Sequence, residues 1–512
     1  MSNWQKVFSE FYKNKTSDLA GFKKSAAENF STYGIYPDSI HECEGSYLFI
    51  LKQEKVKKLV VFGDDGKAYK AFNGQETDAD GVKLKICPLS HENCLVIREK
   101  FPFTKPSAVL EYQKTFGLGD RLGLATPGHI RLMKKYDVKP IFAQQSIREL
   151  NLTGRTYDDV LDDASWGVFQ ENYTTGFGAD GDHLKKPEEI EYALGCGYTM
   201  ITLDCSEHID NNISKMSDAE VDKLYAGLGA DVTGKYEQKY LDKTFPLKDG
   251  FAIEITSADL KRIILVYKKA VDFATEMYNK YIKNYSRKVD FEMSIDETMT
   301  PTSAESHFFV AKELVDAGVK AATLAPRFCG EFQKGIDYIG DIAQFDEEFK
   351  FHYAIADYFG YKISVHSGSD KFSVFPTIGR ETKGRYHVKT AGTNWLEAVR
   401  VITMKAPALY REMHAFALEV LDEARKYYHI GADVKKIPDI NKLGDAELPG
   451  LMDKIDSRQV IHITYGIILQ AKKSDGTSLF KERIYEVLHT YEQDYYDVLY
   501  KHIGRHLKDL GL

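Results

Sequence analysis

Short apolar segments alternate with longer segments of helical periodicity through the middle of the chain. Eight of the apolar segments end in polar residues: LGLAT (122–126), PIFAQQ (140–145), WGVFQE (166–171), TMITLD (199–204), DFEMSIDE (290–297), AATLAPR (321–327), KISVHS (362–367) and YHVKTAG (386–392). This alternation predicts an α/β fold in which parallel strands and helices form a (β/α)8 TIM-like barrel. An open doubly wound sheet is the competing architecture.

The regions on either side of the predicted barrel have a different pattern of apolar and polar positions. Residues 1–115 mix a helical start with short β-rich pieces, which predicts an N-terminal α/β extension. Residues 116–400 form the predicted catalytic barrel. Residues 401–512 carry apolar positions at helical spacing, so we expect a helical C-terminal region packed on the barrel.

One interval inside the predicted barrel, after its fourth strand, is too long for a single crossover helix. Ser217 and Glu220 fit a capping box at its start, and a long amphipathic pattern runs from Ser257 to Tyr281. We therefore expect a helical insertion over about 207–286.

Composition and charge narrow the class of protein. Hydrophobic residues make up 43% of the chain and charged residues 28%, which is typical of a globular protein. The net charge of −8 argues against nucleic acid as a partner, because phosphate binding needs a basic surface. No apolar segment has the length of a membrane span, so no membrane partner is expected. Six cysteines without a C-x-x-C pair favour a reduced, cytoplasmic protein, and a homo-oligomer stays open.

Sequence motifs for bound nucleotides and serine nucleophiles are missing. The chain has neither the G-x-x-x-x-G-K-[ST] phosphate loop nor the G-x-S-x-G nucleophile turn. GLGDRLG (117–123) is rich in glycine, but its spacing differs from the dinucleotide fingerprint and it precedes an apolar segment instead of following one. These observations argue against NAD, ATP and serine-based chemistry.

Polar side chains stand at the end of every predicted barrel strand, and active sites of such barrels lie at the carboxyl ends of the strands. A single acid there often caps a helix, and a single arginine often forms a surface ion pair. Polar ends on all the segments together indicate a functional site. The residues concerned are Gln144, Gln145, Gln170, Glu171, Asp204, Glu292, Asp296, Glu297, Arg327, His366, Asp370 and Lys389.

Three histidines, His183, His307 and His366, follow alternate predicted strands, and we expect them to bind a divalent metal. Side chains from alternate strands share a layer in such barrels, and imidazole is the commonest protein ligand of catalytic metals. His208, after the fourth segment, is a spare candidate. The alternative is that His307 is a buried helix residue and His183 a loop residue. The choice among zinc, manganese, nickel and cobalt stays open.

Six long segments carry a resemblance to a known family. They are PIFAQQSIRELNLTGRTYDDVLDDASWGVFQE, FGADGDH, DFEMSIDETMTPTSAESHFFV, LAPRFCGEFQKGIDYIGDIAQF, YKISVHSGSDKFSVFP and HVKTAGTNWLEAVRVI. They closely resemble the tagaturonate epimerases, from about residue 95 to the C terminus. The resemblance implies a metal-dependent enzyme on a barrel-like scaffold that interconverts tagaturonate and fructuronate in hexuronate catabolism. Some members of the family act on the related ketohexoses tagatose and fructose.

The interconversion of these two sugar acids constrains the mechanism. The carbon that inverts lies two carbons from the ketone, so the carbonyl group does not acidify its C–H. Two routes remain: retro-aldol cleavage with rotation and re-addition of the aldehyde, or transient oxidation by a tightly bound nicotinamide. The missing dinucleotide fingerprint favours the first route, which needs a Lewis acid and two proton carriers.

Two carboxylates are the preferred proton carriers. Asp182 and Glu292 come from different predicted strands, so we expect them to face the substrate from opposite sides. Asp182 has an alternative role in orienting His183, and Glu292 has an alternative role as a metal ligand. The reserves for either role are Asp204, Asp296 and Asp370.

Basic and amide side chains are expected to bind the sugar acid. Arg327 offers a bidentate fork for the carboxylate, and Lys389 or Lys371 offers a point charge. Lys389 is preferred because it lies on the last strand. Gln145 and Asp370 are the remaining predicted substrate-binding residues. Two other functions stay open: a metal-dependent aldolase that releases its fragments, and a non-catalytic sugar-binding protein.

Overall fold

An antiparallel sheet with flanking helices precedes the barrel. The computed structural model describes residues 3–14, 19–63 and 66–512. Within residues 41–88 the strands are hydrogen-bonded in the order β1-β2-β3-β5-β4. The elements of this region are α1 (Asn3–Lys13), α2 (Leu19–Thr32), β1 (His41–Cys43), β2 (Ser46–Gln53), β3 (Val56–Gly63), α3 (Lys67–Ala71), β4 (Gln75–Ala79), β5 (Val82–Pro88) and α4 (His91–Lys100).

Both faces of this N-terminal sheet are buried. One face packs Phe49 against Trp4 and Phe8 of α1. On the other face Ile50 packs in a cluster with Phe169 of the barrel region. The sheet is therefore held between its own helices and the outside of the barrel, which explains why its central strands read as continuous apolar runs.

The first half of the barrel alternates strands and helices. Strand β9 is buried along its whole length, as is typical of a parallel strand that is covered on both faces. The elements are β6 (Lys114–Leu118), α5 (Thr126–Met133), β7 (Lys139–Ser146), α6 (Ile147–Thr153), α7 (Tyr157–Gln170), β8 (Gly178–Leu184), α8 (Pro187–Cys196) and β9 (Met200–Asp204).

A mainly helical segment separates the two halves of the barrel. The capping box predicted at Ser217 is confirmed: its hydroxyl accepts from the Glu220 N–H, and the Glu220 carboxylate accepts from the Ser217 N–H at 2.8 Å. The long helix α11 buries Leu260 and Ile264 in the same core as the barrel helices. The elements are α9 (Asp218–Ala226), α10 (Ala230–Tyr240), β10 (Thr244–Pro246), β11 (Ala252–Glu254) and α11 (Ser257–Met277).

The second half completes a closed barrel. Within the described residues, β12 pairs with β9 on one side and β15 pairs with β6 on the other, so eight parallel strands form a ring without an edge. The predicted barrel is confirmed, and the open sheet is excluded. The elements are β12 (Asp290–Ile295), α12 (Ala304–Asp316), β13 (Thr323–Pro326), α13 (Ile342–Phe359), β14 (Lys362–Val365), α14 (Phe375–Glu381), β15 (Tyr386–Thr390) and α15 (Gly392–Lys405).

Two of the predicted strands are wrong. The segment 122–126 lies mostly in a loop after β6, because the Asp120 carboxylate accepts from the backbone N–H groups of Leu122, Gly123 and Ala125 and so stabilises a turn. The segment 166–171 lies at the end of α7, where every residue from Ala164 to Gln170 is buried, so this part of the helix has no exposed polar face to reveal its periodicity. The true third strand, β8, reads GADGDHL and has polar residues on its inner face.

The C-terminal region packs helices onto the barrel and α15. Trp395 of α15, Ile461 and Leu499 belong to one buried cluster that joins these layers. The elements are α16 (Pro407–Glu419), α17 (Leu421–Ala424), α18 (Ile455–Ile463), α19 (Tyr465–Gln470), α20 (Lys481–Thr490) and α21 (Glu492–Asp509). Among the described residues, no helix combines the length and the apolar character needed to cross a membrane.

Candidate active site

A cavity of about 350 Å³ opens at the carboxyl ends of the barrel strands. Loops after β7, β8, β12, β13, β14 and β15 form its floor and walls, and the C-terminal region covers one side with Tyr428 and His462. The charged and histidine side chains that line it are Arg121, Arg148, Glu149, Asp182, His183, Asp296, Glu297, Arg327, Lys334, His366, Lys389, His429 and His462.

Two histidines and one aspartate meet at the floor of this cavity. The His183 Nδ1 lies 2.8 Å from Asp182 Oδ1, and the His366 Nε2 lies 2.7 Å from Glu292 Oε1. The other ring nitrogens of the two histidines face Asp296 Oδ1, at 3.9 Å for His183 Nε2 and 3.2 Å for His366 Nδ1. The three donor atoms lie within 4.8 Å of one another.

This arrangement fits a divalent metal. Each histidine is oriented by a carboxylate on its far nitrogen, which is the usual support of an imidazole metal ligand. Although the buried His366 Nδ1 lies 3.2 Å from Asp296 Oδ1, it makes no hydrogen bond of good geometry within the described residues, so it is available to a cation. An oxygen and two imidazole nitrogens form a common donor set for zinc, manganese, nickel and cobalt.

The backbone of β8 turns His183 toward the cavity. Asp180 and Asp182 alternate inward along the strand, so a regular strand would point His183 outward. The register of β8 against β9 shifts between Gly181 and Leu184, and His183 takes a left-handed φ of 52°. An L residue pays about 1–2 kcal/mol for that region, and the contact with Asp182 helps to hold it. A local irregularity of the strand thus places His183 among the candidate metal ligands.

A buried lysine holds the carboxylates of the barrel interior together. The Lys389 Nζ lies 2.8 Å from Asp180 Oδ2, Asp182 Oδ1 and Glu292 Oε1. Burial would lower the pKa of Lys389, but the carboxylates raise it well above its usual value. Lys389 therefore stays charged and is paired.

Negative charge remains in excess at the floor of the cavity. The carboxyl groups of Asp180, Asp182, Glu292 and Asp296 surround one lysine. Burial would lower the pKa of His183, but Asp182, Asp296 and Glu297 raise it to about 10. The site thus favours a bound cation, which is a second reason that a divalent metal fits.

The structure does not bring His307 to this site. It lies in α12 and is fully buried, with Nδ1 3.0 Å from His352 Nδ1 and Nε2 2.6 Å from Tyr361 Oη. Burial and then His352 lower its pKa well below the usual value. Both ring nitrogens of His307 therefore contact side chains outside the cavity. The third candidate metal ligand beside His183 and His366 is Asp296 instead of His307.

Gln145 also points away from the cavity. It is fully buried on β7, and its neighbour Gln144 lines the cavity instead, because successive side chains of a strand face opposite sides. Arg327, which the sequence analysis expects to bind the carboxylate, lines the cavity just after β13.

Asp370 joins the C-terminal helices to the loop that follows His366. Its carboxylate lies 2.9 Å from the Arg458 Nη2 and 2.5 Å from the His502 Nε2. The backbone N–H of Asp370 donates to His506 Nε2 at 2.9 Å, and His506 Nδ1 bonds the His502 carbonyl. His506 therefore has no nitrogen left for a metal, and Asp370 lies in a structural network outside the cavity lining.

Lys371 fixes two loops of the cavity wall. Its buried Nζ donates to the carbonyl oxygens of Gln333, Ile336 and Ser369 at 2.6–2.9 Å. The loop after β13 and the loop after β14 are thus held against each other. Lys371 is a positioning residue of the wall, since it does not line the cavity itself.

Comparison with known proteins agrees with this geometry. The sequence model of the tagaturonate epimerase family, UxaE, matches residues 36–510. This chain belongs to the tagaturonate epimerase family. The match includes most of the N-terminal region, so the resemblance extends further than the sequence analysis expected.

Individual tagaturonate epimerases are similar over nearly their whole length. A tagaturonate/fructuronate epimerase of Thermotoga maritima is 44% identical over 476 residues, which is 93% of this chain and 96% of that protein. The crystal structure of fructuronate-tagaturonate epimerase UxaE from Cohnella laeviribosi, complexed with one glycerol, is 52% identical with a TM-score of 0.92. The alignment covers 95% of this chain and 99% of that chain.

Several cavity residues of this tagaturonate epimerase were missed in the sequence. Arg148 and Glu149 follow the second strand directly, so the same strand-end rule would have found them. Lys334 lies in the long loop after β13, and His462 lies in α18 of the C-terminal region. No local pattern ties these last two to the barrel, because only folding brings the C-terminal region over its mouth.

Arg458→Met is expected to destabilise the protein strongly, because it leaves the buried Asp370 carboxylate without its guanidinium. Breaking one side of a buried ion pair costs about 3–5 kcal/mol. Urea unfolding measures the loss, and Arg380→Met is the matched control, since Arg380 is 56% exposed in its pair with Glu381. Equal shifts of the two unfolding midpoints would show that the Asp370 network does not stabilise the fold.

Proposed function

We propose that this chain interconverts tagaturonate and fructuronate by a metal-assisted retro-aldol route. The observation that carries the proposal is the convergence of His183, Asp296 and His366 at the floor of the cavity, in a chain of the tagaturonate epimerase family. These residues would hold the cation, with Asp182 and Glu292 orienting the two histidines. A bound divalent cation would supply Lewis-acid polarisation of the ketone and its neighbouring hydroxyl.

The carbon skeleton then opens and closes at one bond. A base takes the proton from the hydroxyl on the carbon that inverts, and that carbon becomes an aldehyde as its bond to the neighbouring carbon breaks. The electron pair of the bond passes to the ketone-bearing half. After the aldehyde rotates, the bond re-forms on its other face, and the aldehyde oxygen takes a proton from a second carrier.

The carboxylates that line the cavity limit the choice of proton carriers. Glu149 is held by the Arg121 guanidinium at 2.8 Å, and Asp296 is assigned to the metal. Asp182 and Glu297 remain. The contacts of Asp182 with Lys389 and His183 both use its Oδ1, which leaves Oδ2 for the substrate. Asp182 and Glu297 come from the ends of β8 and β12, so they approach the substrate from different strands. We assign them as the two carriers.

Glu292 receives a different role from the one expected. It is fully buried; its Oε1 lies against His366 and Lys389, and its Oε2 accepts from Thr323 at 2.5 Å. It does not line the cavity, so it has no access to a substrate hydroxyl. Glu292 is a positioning residue for His366.

Metal removal is expected to abolish turnover, and metal return is expected to restore it. Chelator-treated protein is assayed for conversion of tagaturonate to fructuronate before and after addition of zinc, manganese, nickel or cobalt. His183→Ala and His366→Ala should lose bound metal by elemental analysis. His208→Ala is the control, since His208 stacks on Phe273 outside the cavity lining. Full activity after verified metal removal would contradict the proposal.

Glu297→Gln and Glu292→Gln are expected to fail in different ways. Glu297→Gln removes a proton carrier, so kcat should fall by about 10²–10⁴ while metal affinity stays unchanged. Glu292→Gln loosens a metal ligand, so metal affinity should fall about 10–100-fold. Metal titration followed by calorimetry, beside kcat at saturating metal, separates the two. Unchanged metal affinity in Glu292→Gln, in a protein with normal thermal unfolding, contradicts its positioning role.

A further inference from the structure

Three basic side chains line the cavity without a carboxylate partner in the part of the chain that the structure describes. Arg121 is paired with Glu149, and Lys389 is paired with the interior carboxylates. In contrast, no carboxylate of the described residues forms an ion pair with Arg148, Arg327 or Lys334, although all three line the cavity. Positive charge on this wall therefore faces the excess negative charge of the metal-binding floor.

Arg148 and Lys334 form the part of this wall that is most confined. The Lys334 Nζ donates to Ser367 Oγ at 2.8 Å, directly beside His366 in sequence. Arg148 lines the same cavity, where burial and then the charge of Arg148 lower the pKa of Lys334. The Arg148 guanidinium lies 5.0 Å from the ring centre of Tyr428, so the aromatic face restrains it. Two confined cations of like charge favour an anion between them.

His462 adds unpartnered polar atoms to the same cavity. It is 1% exposed, and neither of its ring nitrogens has a hydrogen-bond partner among the described residues. Burial and then Arg121 and Lys334 lower its pKa well below the usual value, so the ring is neutral and has one N–H to donate. Gly392 lies so close that a Cβ there would overlap the ring, which fixes the ring in position. Buried polar atoms without partners indicate a ligand that supplies them.

The structure of the substrate indicates which of its groups this wall binds, and this step rests on the proposed function. In both sugar acids the carboxylate lies at the opposite end of the carbon chain from the ketone. With the ketone at the metal-binding floor, the carboxylate must reach another wall of the cavity. After cleavage, the carboxylate belongs to the aldehyde half, which is the half that rotates. Whatever holds the carboxylate therefore keeps the free aldehyde inside the protein.

We propose that Arg148, Lys334 and His462 bind the substrate carboxylate and retain the aldehyde half between cleavage and re-addition. A guanidinium and an ammonium make charge-assisted hydrogen bonds to a carboxylate, and rotation about the anchored end exposes either aldehyde face. The anchor makes the protein an epimerase, because an aldehyde half that escapes would turn the same chemistry into an aldolase. Lys389, the cation preferred from the sequence, is already neutralised and is not this anchor.

The binding test uses glycerate and glycerol, a pair that differs only in a carboxylate against a hydroxymethyl group. Calorimetric titration of the unmodified protein should show tighter binding of glycerate. Arg148→Met and Lys334→Met should each weaken glycerate at least about tenfold and leave glycerol within about twofold. Lys350→Met is the matched control, since Lys350 lies in an exposed pair with Glu347. Lys334→Arg should retain most of the glycerate affinity.

Two results of this titration would overturn the proposal. One is glycerate binding that is unchanged in both variants, or that falls only in Arg327→Met, which would place the carboxylate on Arg327. The other is an equal loss of glycerate and glycerol, which would mean that the variants damage the whole cavity.

The turnover test measures escape of the aldehyde half. Tagaturonate is incubated with each protein and an aldehyde-trapping hydrazine, and the trapped three-carbon aldehyde acid is counted per molecule of fructuronate formed. This ratio should rise at least tenfold in Lys334→Met over the unmodified protein; an unchanged ratio contradicts the retention role. If the unmodified protein does not convert tagaturonate at all, the proposed function fails, whereas the glycerate titration still decides where a carboxylate binds.

Discussion

The contact of one lysine with three acids in the middle of the barrel supports the whole candidate site. Lys389 holds Asp182 and Glu292, and these two carboxylates in turn orient His183 and His366. Without the ammonium, the buried carboxylates would repel one another and take up protons. With it, they remain ionised and accept hydrogen bonds from the imidazoles. The geometry of His183 and His366, the proposed metal ligands, therefore depends on an ion pair that neither histidine forms itself.

The cavity is a product of both the barrel and the region that follows it. The barrel provides the floor, where acids and histidines at the ends of β8, β12 and β14 converge near Lys389 of β15. Tyr428 and His462 of the C-terminal region close one side, and the Asp370 network with Arg458 and His502 fixes that region against the loop after β14. A chemistry that generates a free aldehyde benefits from such a wall, because an open barrel mouth would let the fragment leave.

Much of the fold could be predicted from the chain, and the errors have physical causes. Six predicted strands coincide with observed ones, since buried parallel strands are continuous apolar runs. The third strand was missed because its inner face carries Asp180 and Asp182 in place of apolar residues. The segment 166–171 looks like a strand because the last two turns of α7 are buried on all sides. The strand with the most functional residues is therefore the one that a search for apolar runs overlooks.

The sequence by itself determined the barrel, the family, and the presence of His183, Asp182, His366, Arg327 and Lys389 at one end of the strands, because strand order and alternation are local properties of a chain. The tertiary structure decided which of the polar residues meet. It replaced His307 with Asp296, moved Glu292 beneath His366, and brought Lys334 and His462 to the cavity. These choices depend on a shift of strand register at His183 and on helices that lie far away in the chain. Neither can be read from local pattern, since each is fixed by the packing of segments that are distant in sequence.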